Sequence, residues 1–127
     1  MSVLITCLLI ACALAILSKG PVAYFMNQLG GYNNKHPRNQ QAKLTGTGAR
    51  ALAAHQNSFE SLILFAPAIL VAVATNTTGD TIQYLAISHV VARVLYNILY
   101  IINIHYLRTL SWLVATVASF SIIYLCI

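Results

Sequence analysis

The chain has 127 residues, of which 59% are hydrophobic and only 7% charged, with a net charge of +5. Soluble globular domains carry roughly 25% charged residues, so seven basic and two acidic side chains cannot cover a water-soluble protein of this size. The apolar excess equally excludes a disordered chain, and a mean hydropathy of +0.77 makes lipid the main solvent.

In chain order, Ser2 to Leu17 is an apolar run with no charge before Lys19. A secretory leader needs a basic residue ahead of such a run, and none is present. Leu9-Ile10-Ala11-Cys12 faintly resembles a lipoprotein processing site but lies too early. The run is therefore read as an uncleaved first span, residues 2–29. Leu62 to Ala74 is apolar but only thirteen residues long, about 20 Å of helix against a hydrocarbon core of about 30 Å. The second span must reach back to cover residues 47–75, which puts Asn57 and Glu60 in the membrane and Pro67 at a kink. The third span covers 81–103 and contains Arg93; the fourth, 108–127, is uncharged from Thr109 onward. The expectation is an all-α integral membrane protein, a single four-transmembrane-helix bundle over residues 1–127. Short connections at Asn76–Asp80 and Ile104–Arg108 make spans two, three and four antiparallel neighbours.

Six of the seven basic residues, Lys19, Lys35, Arg38, Lys43, Arg50 and Arg108, fall on one side of this bundle. The positive-inside rule makes that side cytoplasmic and puts both termini on the other. Scattered between apolar stretches, these cations do not form a nucleic-acid footprint. The cysteines, Cys7, Cys12 and Cys126, lie in apolar runs without CxxC spacing and read as inert packing residues.

Glu60 and Arg93 stand out, because an ionisable residue near mid-span costs about 2.5–3.5 kcal/mol on insertion scales. Glu60 lies fifteen residues before Thr75 and Arg93 twelve after Thr81, so both sit about 18–23 Å below the outer surface. An intramembrane Glu60–Arg93 pair is expected, within one chain or across a subunit contact. Arg50, Asn57 and Glu60 share one helix face, as do His89, Arg93, Tyr96 and Tyr100. Two such stripes would wall a polar cleft with Arg108 at its mouth. Polar residues can also be plain interhelical glue; that reading stays open for Asn57, Ser61 and Asn97, and His89 reads as a satisfied core residue. His36 and His105 are expected in solvent, and Tyr106 and Trp112 in an aromatic belt.

At these residues the chain resembles the MAPEG family, membrane-associated proteins in eicosanoid and glutathione metabolism. The likeness rests on the stretch from Arg50 to Glu60 with its Arg, Asn and Glu, on Arg93 followed by Tyr96 and Tyr100, and on Arg108 at the start of the last helix. Tyr32 to Arg38 is similar to the first connection of the bacterial branch. The resemblance implies a homotrimer in a bacterial inner membrane, with glutathione bound between subunits near the cytoplasmic side. Arg50, Asn57 and Glu60 would come from one subunit and Arg93, Tyr96 and Tyr100 from its neighbour. Arg108 would activate the thiol against a lipophilic second substrate arriving through the lipid. One departure is Ala53, where several glutathione-using members carry a second Arg. Three readings follow: a glutathione-dependent transferase or peroxidase, a non-catalytic relative binding another small anion or amphiphile, and a small channel subunit. No metal is implied.

Overall fold

Each apolar stretch closes into a helix, because in lipid only an unbroken backbone ladder satisfies every N–H and C=O. The computed structural model describes residues 1–127. It contains α1 (Ser2–Leu17), α2 (Lys19–Asn27), α3 (Pro37–Gln41), α4 (Gly46–Ala74), α5 (Asp80–Ile101) and α6 (His105–Tyr124). Four rods are long and apolar enough to cross a membrane: Ser2–Asn27, which joins α1 and α2, then α4, α5 and α6. The expected four-helix architecture is present, with ends shifted by at most three residues from those read off the sequence.

Local chemistry explains the breaks. Pro21 has no N–H for the carbonyl of Leu17, four residues back, and the irregularity between α1 and α2 falls one residue later, at Ser18. There the backbone stays helical (φ −62°, ψ −13°) and Ser18 Oγ donates to Ala15 O at 2.8 Å. Pro67 lies inside α4 without ending it. α4 and α5 both finish on an asparagine in the left-handed region, Asn76 (φ 57°) and Asn103 (φ 65°). In each case the following N–H returns to a carbonyl five residues back, Thr77 to Ala72 at 2.9 Å and Ile104 to Leu99 at 3.0 Å. This is the Schellman arrangement, which satisfies carbonyls the helix end would leave unpaired. Asp80 opens α5, where a negative charge suits the helix dipole.

Packing divides the bundle lengthwise. Toward the end bearing the termini, Leu4, Cys7, Ala11, Phe65, Ala68, Ile69, Ala72, Ile82, Ala86 and Ile122 form one apolar cluster. At the other end Val22, Met26 and Ala51 form a smaller one, flanked by Phe25, Leu44, Leu52 and Ile101. Small residues recur on the buried face of α4 (Gly48, Ala51, Ala54, Ser58, Ala68 and Ala72) and let neighbouring backbones approach closely, as lipid-embedded interfaces require. The three thiols are unpaired; Cys7 is buried as expected, but Cys12 points outward from α1 and is not a packing residue.

The close approach of α2 to α4 at Gly48 is directly testable. A Cβ there would lie 3.1 Å from both Phe25 Cβ and Leu44 Cδ2, whereas a Cβ at Gly20 meets nothing within 4 Å. Gly48→Ala should overpack the contact and cost about 1–3 kcal/mol. Gly20→Ala should be neutral or stabilising by up to about 1 kcal/mol through helix propensity. Thermal unfolding in detergent separates the two; equal midpoints would contradict this packing.

Candidate functional site

Between the two apolar clusters lies a belt of polar side chains. Its centre is Arg93, only 2% exposed on α5. Burying a guanidinium is costly unless its donors are met. Here the group lies over the Tyr96 ring, 4.2 Å from Cζ to the ring centroid; such cation–π contacts strengthen as water is removed. Its Nη2 nonetheless has no hydrogen-bond partner. Arg93 borders a crevice of about 10 Å³ with Ala11, Leu14, Ser58, Ser61, Leu62 and His89, barely room for one water.

From Arg93 the aromatic contacts continue toward the end of the bundle. Tyr96 meets Tyr100 edge to face, with centroids 5.6 Å apart, and Arg108 Cζ lies 4.3 Å from the Tyr100 centroid. The four residues form a ladder of two cations and two phenols running from the buried belt to the first turn of α6. The three-and-four spacing on α5 stacks Arg93, Tyr96 and Tyr100, and the three-residue connection turned by Asn103 brings Arg108 back onto Tyr100. Arg50 closes the same end: its Nε donates to Ile101 O at 3.3 Å and its Nη2 to Thr47 Oγ1 at 2.8 Å. Arg50 thus fastens α4 to a carbonyl at the end of α5 and is partly committed to that role.

Asn57 and Glu60 point elsewhere. Asn57 Nδ2 donates to Glu60 Oε2 at 2.9 Å, while Asn57 Oδ1 is buried without a partner. Both line a recess of about 170 Å³ with Ser61, Leu64, His89, Trp112, Thr116 and Ser119. The expected Glu60–Arg93 pair is therefore not formed within one chain: Glu60 is exposed toward the α6 side, and Arg93 is turned toward α1 and the Ser58 face of α4. Matching depth along the membrane normal did not settle rotation about the helix axis. The two stripes meet only at Ser61 and His89, which border both spaces.

Other expectations fare better. His89 is a satisfied core residue: its Nδ1 lies 2.9 Å from Ala115 O and 3.1 Å from Ser119 Oγ, and its ring stacks on Phe65 at 3.8 Å. A carbonyl can only accept, so Nδ1 carries the proton and Nε2 presents a lone pair toward Ser61 Oγ at 3.5 Å. Asn97 is interhelical glue, its Nδ2 donating to Ser58 Oγ at 3.2 Å. Asn57 is not, since its one bond stays within α4. His36 and His105 are exposed, as is Tyr106. Trp112, expected in an aromatic belt, is 42% exposed and also walls the recess. Thr116 and Ser119 were not expected at the site; their spacing of four and seven from Trp112 on α6 is the signal that identifies this third polar face. A further link, Ser18 Oγ to His55 Nδ1 at 2.8 Å, ties the first rod to α4.

The His89 tie generates a stability prediction. His89→Leu should leave the Ser61 and Ser119 hydroxyls without their imidazole partner and destabilise the bundle by about 1–3 kcal/mol. His89→Gln, which can still donate to Ala115 O, should recover part of the loss. Unfolding midpoints measured in detergent report the difference, and an unchanged midpoint for the leucine variant would count against the tie.

The MAPEG family profile matches residues 3–127. No curated protein and no solved structure gives a significant match. With a match over nearly the whole length and four apolar helices long enough to span a bilayer, the chain is an integral membrane protein and belongs to the MAPEG family.

Proposed function

We propose that this protein is a glutathione-dependent transferase or peroxidase acting on lipophilic electrophiles, working as a homotrimer with glutathione held between subunits. Family membership supports the class, which contains glutathione-dependent transferases and non-catalytic members. The observation that carries the reading is the Arg93–Tyr96–Tyr100–Arg108 ladder with an unpartnered Nη2 at its buried end. A guanidinium with an unmet donor, set in a belt between apolar clusters, calls for an anion, and the roughly 10 Å³ crevice beside it has to widen where a second subunit packs to admit one.

A second copy supplies what one chain lacks. Glu60 is exposed in the middle of α4, and a carboxylate facing lipid there is costly. A subunit contact that covers Glu60 removes this cost and brings Asn57 and Glu60 of one chain toward the ladder of the next. Glutathione offers two carboxylates and one ammonium group. Arg93 and the remaining donors of Arg50 receive the carboxylates, and Glu60 accepts from the ammonium. Arg108 sits at the basic end of the bundle, which we take as cytoplasmic. A free thiol titrates near 8.5, so a nearby guanidinium that stabilises the thiolate by about 1.4 kcal/mol lowers this by one unit. The second substrate reaches the sulfur from the lipid.

A non-catalytic binder of another small anion is the second reading, and Ala53 favours it. This half-buried alanine stands where several glutathione-using relatives place a second bidentate donor, and a methyl group cannot replace one. A channel has less support, since the cluster from Leu4 to Ile122 fills the other half of the bundle with apolar side chains and leaves no continuous polar path through one chain.

Calorimetric titration of the detergent-purified protein with glutathione tests the proposal. Arg93→Ala should abolish saturable binding. Arg108→Ala should keep binding but lose the ultraviolet absorbance of the bound thiolate. Co-expressed Glu60→Gln and Arg93→Ala chains should recover part of the sites, because a mixed trimer rebuilds some interfaces from intact halves. Absence of binding by the unmodified protein at millimolar glutathione would reject the first reading.

A further inference from the structure

The first connection plays no part in the ladder or the recess, yet it is a built structure. Gly30 (φ +91°) and Gly31 (φ +104°) adopt left-handed backbone that side chains rarely tolerate. They turn the chain so that Gln40, only 7% exposed, clamps it from both sides. Gln40 Nε2 donates to Gly31 O at 2.7 Å, and Gln40 Oε1 accepts from Asn33 N at 2.9 Å. Asn33 Oδ1 in turn accepts from the backbone N–H groups of Lys35 (3.1 Å) and His36 (2.9 Å). Pro37 then starts the short helix α3. The result is a fixed basin of about 480 Å³ bordered by Leu29, Tyr32, Asn33, Asn39, Gln40 and Lys43.

Three features give this basin a ligand class. Lys43 borders it and Lys35 and Arg38 stand exposed on the same connection. No acid balances them: the only two acidic side chains in the protein are Glu60, well inside α4, and Asp80, at the start of α5 on the opposite end of the bundle. The lining is otherwise polar, but Leu29 (47% exposed) and Tyr32 (41% exposed) give one side of the rim an apolar and aromatic surface. The basin also joins the end of α2 to the start of α4, where two rods long and apolar enough to cross a membrane come to their ends.

We propose that this basin binds the headgroup of an anionic phospholipid. Lys43 faces the phosphodiester, Lys35 and Arg38 add attraction from the same connection, and Leu29 and Tyr32 lie beside the glycerol and the first acyl carbons. Free phosphate would gain nothing from that rim, which selects the lipid over a soluble anion. Cations near an acidic membrane surface strengthen attachment by about fivefold each. The site stands independently of glutathione binding.

The test is native mass spectrometry of the full-length protein released from micelles doped with equal amounts of phosphatidylglycerol and phosphatidylcholine of matched chains. The unmodified protein should retain phosphatidylglycerol at least about tenfold more. The Lys35→Gln/Arg38→Gln/Lys43→Gln variant should fall to parity, and all three positions are exposed, so its unfolding midpoint should not move. Lys19→Gln, which removes a cation outside the basin, should leave the preference intact. Excess glycerol 3-phosphate should not displace the lipid. Equal retention of the two lipids, a preference that survives the triple variant, a preference equally lost in Lys19→Gln, or displacement by glycerol 3-phosphate would each overturn the proposal.

Discussion

The middle of this bundle is built around one expensive group, the guanidinium of Arg93. A cation near the middle of a membrane helix is tolerated only where the protein substitutes for its hydration. One face of the guanidinium is covered by Tyr96, and Asn97, which donates to Arg93 O at 3.0 Å, steadies the next turn of α5 while also reaching Ser58 on α4. These contacts fix where the charge sits but do not exhaust its donors. Apolar clusters on either side keep the surroundings low in dielectric, which makes any anion brought to the free donor bind more strongly than it would in water.

This constraint shapes the rest. The aromatic ladder couples the buried charge to Arg108, so the two cations are held at set positions along one line, one deep and one near the end of the bundle. Arg50 is fastened to the end of α5 and sets where the line terminates. On the other side of α4, Asn57 and Glu60 open onto a recess walled by α6. A single chain therefore presents two polar faces pointing in different directions: one cationic and aromatic, one carboxylate and amide. They complement each other chemically but do not touch. Two copies side by side can bring one half of each together, and this is the physical content of placing the ligand between subunits.

Much of the fold was legible because lipid leaves so few options. Apolar runs of the right length must be helices, and their number and approximate ends followed from composition. The short helix α3 was missed because it lies in a polar connection and depends on Gln40 clamping Gly31 and Asn33, a tertiary arrangement without a periodic signal. For the site, counting residues placed Arg93 level with the Ser58–Leu62 stretch of α4, and the grouping of Arg93 with Tyr96 and Tyr100 held. Azimuth was not readable: Asn57 and Ser58 differ by one position on α4, yet one faces the recess with Glu60 and the other bonds to Asn97. The within-chain Glu60–Arg93 pair failed for that reason. The third wall, from Trp112, Thr116 and Ser119, carried a helical spacing that could have been read, but its residues are uncharged and stood out less than the ionised ones.

In the proposed function, the free donor of Arg93 receives an anionic group of glutathione. Nitrogen NMR of the guanidinium groups in detergent-solubilised protein, assigned with an Arg93→Lys variant, observes that donor directly. A saturable shift and slowed hydrogen exchange of the Arg93 resonance are expected on adding glutathione, and neither change with its dimethyl ester, whose carboxylates are masked. An Arg93 resonance indifferent to glutathione, or equally responsive to the ester, would contradict it.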